Sequence, residues 1–520
     1  MRYYLVAGLL LLLAEPPYGY FVLAFFAVIP LLYRAHRSGS YRRAAIGGLV
    51  SGIVFFAPGL FWLTSTTIIG WAALSLYCAV YFALFAMVVR YTSNVLTLAA
   101  TWTLLEFIRG AIAFTGFPWL LLSHSQYPFT IFVQILDVIG ASGLSGLLIA
   151  INALILKGVR RRSSLVLAVA LFVGVCLYGS FRVTTIPIKK VQRIALVQAS
   201  VPQEMKDALD GKTYDPAGGL SRYLKATEAI PKSEEVDLLV WPETVVLSPF
   251  TLNVDPEIMK DSLAKDARFA QEALGKFAMD HSAYFLAGST SFLPADYGYV
   301  SDPKIASQIP EGNWRRQYNS AYLLDPNGHY VDRYDKIHLV PFGEYIPLRR
   351  ILPFLANFVP FDASLSPGER QTIFQMTKDN QSLKFGVLIC YEDTDSELAR
   401  RLRRNGADFF VNISNDAWFG LNELDQHFVT AAFRAVENRV GVVRSGNNGI
   451  SGIIDPLGRP EILLDKNQIG HASGDLWVTE SRSIYTLVGD WPEVGASGLI
   501  LIVKFIRRRR TAVQPRRGKV

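Results

Sequence analysis

Cysteine is scarce in this 520-residue chain: there are three, and only Cys390 lies outside a long apolar run. No disulfide can therefore form within the polar part of the chain, which excludes a fold stapled by cross-links. Metal-ligand spacing is missing too. The seven histidines are scattered, with no CxxC or HxxxH pattern, so nothing calls for a metal or another cofactor. Charge is thin: Asp, Glu, Lys and Arg make up 18% against 51% hydrophobic residues, which is not the balance of a soluble globule. Acidic residues are absent from Arg34–Arg43, Arg90, Lys157–Arg162 and Lys504–Val520. Those segments hold 17 of the 52 Lys and Arg and none of the 44 Asp and Glu, so the rest of the chain is net acidic although the total is +8. Positive charge gathered in short loops beside apolar spans encodes membrane orientation, and nucleic acid is set aside as a partner.

What is present is a layout. Apolar runs near 3–15, 19–33, 44–63, 68–89, 95–113, 131–156, 163–182 and 488–506 approach the roughly 20 residues that cross a bilayer. The first two are short, are separated by Glu15-Pro16-Pro17, and read as a retained hairpin anchor rather than a cleaved signal peptide. With the N-terminus inside, every basic segment falls on the cytoplasmic side, and the Lys/Arg-free stretches Gly59–Ile68 and Phe114–Phe132 fall outside. The expected organisation is a transmembrane helical domain of seven spans over 1–182, an extracytoplasmic catalytic domain over 183–485, an eighth span over 486–506 and a basic cytoplasmic tail over 507–520.

Within the polar region, short β-rich runs alternate with helical stretches. Arg193–Gln198, Val236–Val240, Tyr284–Gly288, Ala321–Leu324, Phe385–Ile389 and Phe409–Ile413 read as buried strands, and Lys265–Asp280 and Gln426–Arg439 as helices. The fold class is a layered α/β domain with function expected where strands end. Three strand ends carry an unusual set. Val236–Trp241 runs into Pro242-Glu243. Tyr334-Asp335-Lys336 leads to Glu344 eight positions on. Phe385–Ile389 ends in Cys390-Tyr391-Glu392. Singly, each is ordinary: a turn carboxylate, a solvated lysine, a core thiol. Together they supply a base, a cation and a soft nucleophile. Cys78 and Cys176 sit in apolar spans and read as small buried hydrophobes.

In this order Glu243, Lys336 and Cys390 resemble the Glu–Lys–Cys triad of the nitrilase (carbon–nitrogen hydrolase) superfamily, over about Ile194 to Trp477. The stretches His338–Pro347, Ile389–Glu392, Asn415–Gly420, Gln426-His427-Phe428 and Arg444–Gly449 are similar, more specifically, to the apolipoprotein N-acyltransferase family, as is the layout of about eight spans around an extracytoplasmic domain. The resemblance implies an α-β-β-α sandwich in a multi-pass protein of the bacterial inner membrane, its catalytic domain on the periplasmic side. It also implies a two-step reaction: an acyl chain passes from a membrane phospholipid to the cysteine, then to the free α-amino group of a lipoprotein's diacylglyceryl-cysteine. A thiol with a pKa near 8.5 needs a base, which Glu243 provides, and the oxyanion needs donors, which Lys336 and the Tyr391 N–H provide. Glu344, Tyr391, Glu392 and Asn319 are implied as supporting residues. One departure stands at Asp207, after Val201–Lys206, where the family often has a tryptophan.

Tyr345–Phe361 holds too many prolines for a helix. It reads either as a loop exposing Ile346, Leu348, Ile351, Leu352, Phe354 and Leu355 to lipid or as a buried arm. Glu106 and Arg109, three apart near the end of the fifth span, read as an ion pair or a headgroup contact. Other readings stay open at this level. A membrane-tethered amidase needs one anchor rather than eight. A Cys–His protease using His338 or His427 leaves Glu243 and Lys336 without a role. A non-catalytic transporter or lipoprotein-binding scaffold does not explain an intact triad.

Overall fold

The structure, a computed structural model, describes residues 1–202, 216–246, 261–293, 316–347, 365–378, 381–419 and 421–513. It divides into two compact units, Met1–Ile186 with Ser483–Val520, and Pro187–Arg482. Gln203 to Asp207 and the segment from Leu348 to Phe361 lie outside the described residues.

The first unit is helical. Ile68–Tyr91, Val95–Ile112, Leu136–Gly158 and Arg162–Thr185 are long and apolar enough to cross a membrane, and Arg2–Ala14 and Phe21–His36 are shorter apolar stretches. Polar side chains set the starts: Ser40 accepts from Arg43 N–H, Thr67 from Gly70 N–H and Asn94 from Thr97 N–H, each satisfying a first-turn donor that lipid cannot. The run read as a span at 19–33 is broken into a 3₁₀ turn, Phe21–Phe25, and a helix, Ile29–His36, with Pro30 in its first turn. Proline lacks the N–H that a continuous helix would need there. Glu106 and Arg109 bind one returning segment. Glu106 accepts from Leu122 N–H at 3.0 Å, and Arg109 donates to the carbonyls of Phe117 at 3.0 Å and Trp119 at 2.7 Å. Non-helical backbone is thereby satisfied inside an apolar unit.

The second unit is built on two six-stranded sheets. The first has the order β12-β1-β2-β3-β4-β5 and the second β11-β10-β9-β8-β7-β6. Their strands are β1 Lys189–Gln198, β2 Leu238–Val240, β3 Tyr284–Leu293, β4 Arg316–Leu324, β5 Tyr330–Asp335, β6 Ile373–Lys378, β7 Gln381–Ile389, β8 Phe409–Ser414, β9 Gly441–Gly446, β10 Ser451–Ile454, β11 Pro460–Leu464 and β12 Gly470–Val478. At the centre of each sheet the pairing is parallel, β1–β2–β3 and β7–β8–β9, which requires crossover helices and buries both faces.

Side-chain alternation assigns the layers. Ile194, Leu196, Leu238 and Val240 pack with Val387, Ile389, Val411 and Ile413 between the sheets. Their neighbours Ala195, Val197, Leu239 and Trp241 pack outward with Tyr223, Leu274 and Phe277, which belong to the helices Pro216–Glu228 and Asp261–His281. With Ser396–Arg404 and Leu421–Asn438 accompanying the second sheet, the unit is an α-β-β-α sandwich. The long apolar runs on the central strands follow from this, because period-2 alternation is apolar on both faces when both are covered.

Candidate active site

The parallel strands end together, and each of the three chemical segments turns sharply as it leaves the sheet. Thr244 after Glu243 (φ 50°), Phe342 before Glu344 (φ 61°) and Cys390 itself (φ 51°) are non-glycine residues in the left-handed region. Such conformations cost on the order of 1–3 kcal/mol each and persist only where surrounding bonds fix them.

Those bonds are present. Glu243 is buried; its Oε1 accepts from Asn319 Nδ2 at 2.5 Å and its Oε2 from Asn415 N–H at 2.7 Å. The turn carrying it lies against Gly288 of β3, where an added Cβ would sit 2.6 Å from Glu243 Cα. Lys336 is buried with Nζ 2.8 Å from Glu344 Oε1 and 3.6 Å from Glu243 Oε1. Its N–H donates to the Asn319 carbonyl at 2.8 Å and its own carbonyl accepts from Gly368 N–H at 2.7 Å. Glu344 Oε2 accepts from Val340 N–H at 2.8 Å, closing the Val340–Tyr345 turn. Asn319 therefore ties Glu243 and Lys336 to one strand.

Cys390 opens a 3₁₀ turn, Cys390–Thr394, directly after β7. Glu392, fully buried, braces it. One carboxylate oxygen accepts from Ile389 N–H at 2.7 Å, on the segment that leads into Cys390. The other accepts from Ile337 N–H at 2.6 Å, His338 N–H at 3.0 Å and the Tyr334 hydroxyl at 2.8 Å. It staples the lysine loop to the cysteine turn. Burial pushes its pKa up to about 7, against those donors. Tyr391 is buried and stacks on His338 at 5.5 Å, and His338 Nδ1 lies 3.3 Å from Asp395 Oδ2.

Electrostatics link the triad. The Cys390 thiol keeps partial exposure, yet the protein around it and then the Glu243 carboxylate raise its pKa, outweighing the opposite pull of Lys336 and His427. Burial would strip the charge from Lys336, but Glu344, Glu243 and Cys390 together raise its pKa above the ordinary lysine value. The arrangement thus favours a protonated thiol beside a charged lysine.

A second layer of charged side chains, which the strand ends do not reveal, surrounds the triad. His427 Nε2 lies 3.1 Å from Asp393 Oδ1, and Nδ1 lies 3.0 Å from Asp416 Oδ1 and 3.2 Å from Glu423 Oε1. Arg444 reaches Asp393 at 3.1 Å and Asp416 at 3.0 Å. Burial works against the charge on both His427 and Asp416. Carboxylates still raise the His427 pKa, and Arg444 with His427 depresses that of Asp416. Cys390, Asp416 and His427 present donor atoms within 4.8 Å of one another. Those of His427 and Asp416 are already engaged in charge-assisted bonds, which differs from an open ligand set. A ring with carboxylates at both nitrogens is also no general base, which removes the Cys–His reading for His427. Ile346, for which a lipid-facing loop and a buried arm were both open, is buried at the end of the Glu344 turn, as the second of these expects. Leu348, Ile351, Leu352, Phe354 and Leu355 lie outside the described residues.

Comparison with known proteins agrees over both units. Residues 7–154 match the apolipoprotein N-acyltransferase N-terminal domain family, and residues 193–476 match the carbon-nitrogen hydrolase family. Apolipoprotein N-acyltransferase of Geobacter metallireducens is 32% identical, over 98% of this chain and 96% of its own. That of Allorhizobium ampelinum is 31% identical over 86% and 84%, and that of Rhodopseudomonas palustris 29% over 97% and 94%. The chain is therefore an enzyme of the apolipoprotein N-acyltransferase family, with a carbon–nitrogen hydrolase domain as its α/β unit.

Proposed function

We propose that the enzyme transfers an acyl chain from a membrane phospholipid, through a thioester on Cys390, to the α-amino group of a lipoprotein's N-terminal diacylglyceryl-cysteine. The observation that carries this reading is the placement of Glu243: two donors fix its carboxylate, Lys336 stands 3.6 Å away, and both groups act on the Cys390 thiol. Glu243 takes the thiol proton as sulfur attacks the ester carbonyl. The oxyanion forms against Lys336 and the Tyr391 N–H. As the carbon–oxygen bond breaks, Glu243 returns the proton to the departing glycerol oxygen and a lysophospholipid leaves. The lipoprotein amine then attacks the thioester, loses a proton to Glu243 and expels the sulfur, which recovers that proton. Asn319, Glu344 and Glu392 hold this arrangement.

The membrane reading belongs with it. About eight spans over 1–182 and 486–506, the second of them broken between Phe25 and Ile29, with 183–485 outside and 507–520 inside, bring a lipid donor and an exported acceptor to one catalytic domain in the inner membrane of a bacterium. The confinement of basic residues to alternate loops supports this sidedness.

The test is intact mass after mixing purified protein with phospholipid. The expected result is one acyl adduct, released by hydroxylamine, absent in Cys390→Ala and Cys390→Ser and retained in Cys78→Ala and Cys176→Ala. An adduct that survives in Cys390→Ala would remove the cysteine from this role.

A further inference from the structure

The peptide that follows the nucleophile is held from behind. The Cys390 carbonyl accepts from Asn412 Nδ2 at 3.3 Å and from His427 Nε2 at 3.4 Å. Both donors are fixed by their own partners. Asn412, fully buried in β8, also donates to the Leu388 carbonyl at 3.1 Å and accepts from Arg444 through Oδ1. His427 is clamped by Asp393 on the Nε2 side and by Asp416 and Glu423 on the Nδ1 side. Facing carboxylates with both nitrogens, the ring is a donor at both.

A trans peptide is planar, with its C=O and N–H on opposite sides. Fixing the Cys390 carbonyl on one side therefore fixes the Tyr391 N–H on the other. The hold is needed because Cys390 has a φ of 51°, a conformation that a free chain leaves readily.

We propose that Asn412 and His427 are positioning residues that hold the Cys390–Tyr391 peptide so that its N–H meets the developing oxyanion. This rests on the acyl-enzyme reading above. A different role for His427 makes a different forecast: a ring nitrogen within 4.8 Å of Sγ would, as a cation, act on the thiol itself. Asn412 is neutral and has no such role.

Two reactions of the same thiol separate these. Thioester formation passes through an oxyanion. Alkylation by iodoacetamide does not: the sulfur–carbon bond forms as iodide leaves with its electron pair. Both rates are measured on the full-length protein in Cys78→Ala/Cys176→Ala background, for Asn412→Ala and His427→Gln, with melting temperatures recorded. We expect thioester formation to fall by roughly 10²-fold in Asn412→Ala, with the phospholipid KM within about twofold and alkylation within about threefold of the parent. His427→Gln keeps one amide donor and should lose less. Equal losses in both reactions would assign these residues to thiol activation or to stability and overturn the inference, as would no loss in either. If His427→Gln does not fold, Asn412→Ala decides alone. A parent protein that is alkylated but never forms a thioester would overturn the acyl-enzyme reading, and this inference with it, before any variant is compared.

Discussion

Lys336 lies closer to Glu344, at 2.8 Å, than to Glu243, at 3.6 Å. The difference matters chemically. An ammonium in full contact with Glu243 would hold that carboxylate in its charged form and weaken it as a proton acceptor. Glu344 makes the closer ion pair, so that under the proposed mechanism Lys336 stays charged for the oxyanion and Glu243 can accept a proton. Replacing Glu344 by Gln keeps an oxygen for Lys336 but removes the charge, so the ammonium is left to Glu243. Thioester formation at neutral pH is expected to fall by about 10²-fold with little change in the phospholipid KM. A loss below threefold would reduce Glu344 to packing.

Gly288 sets how closely the Glu243 turn can approach β3. A Cβ there would overlap Pro242 O and sit 2.6 Å from Glu243 Cα, and backbone cannot swing away as a side chain can. Gly288→Ala should therefore displace the base while leaving Cys390 alkylation by a small reagent largely intact. About 1–3 kcal/mol of stability and at least tenfold in acylation are expected to be lost. Unchanged acylation would show that the turn has slack.

Glu423 makes a stability prediction. Burial, then the neighbouring Asp416, push its pKa up to about 7 from 4.5, against the pull of His427 and Arg444. Between those values the folded protein holds a proton that the unfolded chain has released. Stability therefore falls as pH rises through this window, because the unfolded state binds fewer protons. Glu392 has the same sign and the same window. Glu423→Gln retains an acceptor for His427 and removes one of these titrations, so its melting temperature should decline less than the wild type's between pH 5 and 7. Parallel curves would show that Glu423 is ionised throughout the window.

Much of this site could be read from the chain, and what could not has a physical reason. Glu243 and Cys390 stand out because buried parallel strands are continuous apolar runs, and a charge or thiol at the end of one has few bland explanations. Lys336 gained meaning only beside them. Asp393, Asp416, His427 and Arg444 are scattered over a turn, a second turn, a helix and a strand, and only the stacking of β7, β8 and β9 makes them neighbours. The chain did carry signals: Asp416, His427 and Arg444 fall in the family-like stretches, and Arg444 follows the apolar run Val440-Gly441-Val442-Val443, where a guanidinium that becomes buried demands carboxylates. The bracing role of Glu392 was illegible for a related reason, since its partners Ile337 and His338 are backbone N–H groups 55 and 54 residues away. Edge strands such as β11, where only Leu464 is fully buried, lack the apolar run that revealed the central ones.

Removing Glu243 should separate the two half-reactions by their protons. In the first, a proton leaves the thiol as sulfur attacks; in the second, it leaves the amine nitrogen as that nitrogen bonds to the thioester carbon. Gln at 243 preserves the shape and can still accept from Asn415 N–H or Asn319, but takes no proton. The thiol pKa, raised by burial and by Glu243, loses the second of these contributions in the variant and moves down while Lys336 remains to lower it. Thiolate then forms unaided as the solution becomes alkaline. At pH 7 the thioester should form roughly 10²–10⁴-fold more slowly than in the wild type, recovering about tenfold per pH unit until the thiol has titrated. Transfer to a diacylated lipopeptide should recover separately, following an α-amino group whose ordinary pKa is about 7.7–8.0. The measurement is adduct yield and lipopeptide acylation, scored independently across a pH series, with preformed thioester used for the second step. Wild-type rates of thioester formation at neutral pH would mean that another carboxylate takes the first proton, with Glu344 and Glu392 the nearest to be tested. Normal first-step loss with unimpaired transfer from preformed thioester would instead confine Glu243 to the thiol and leave the amine to solvent.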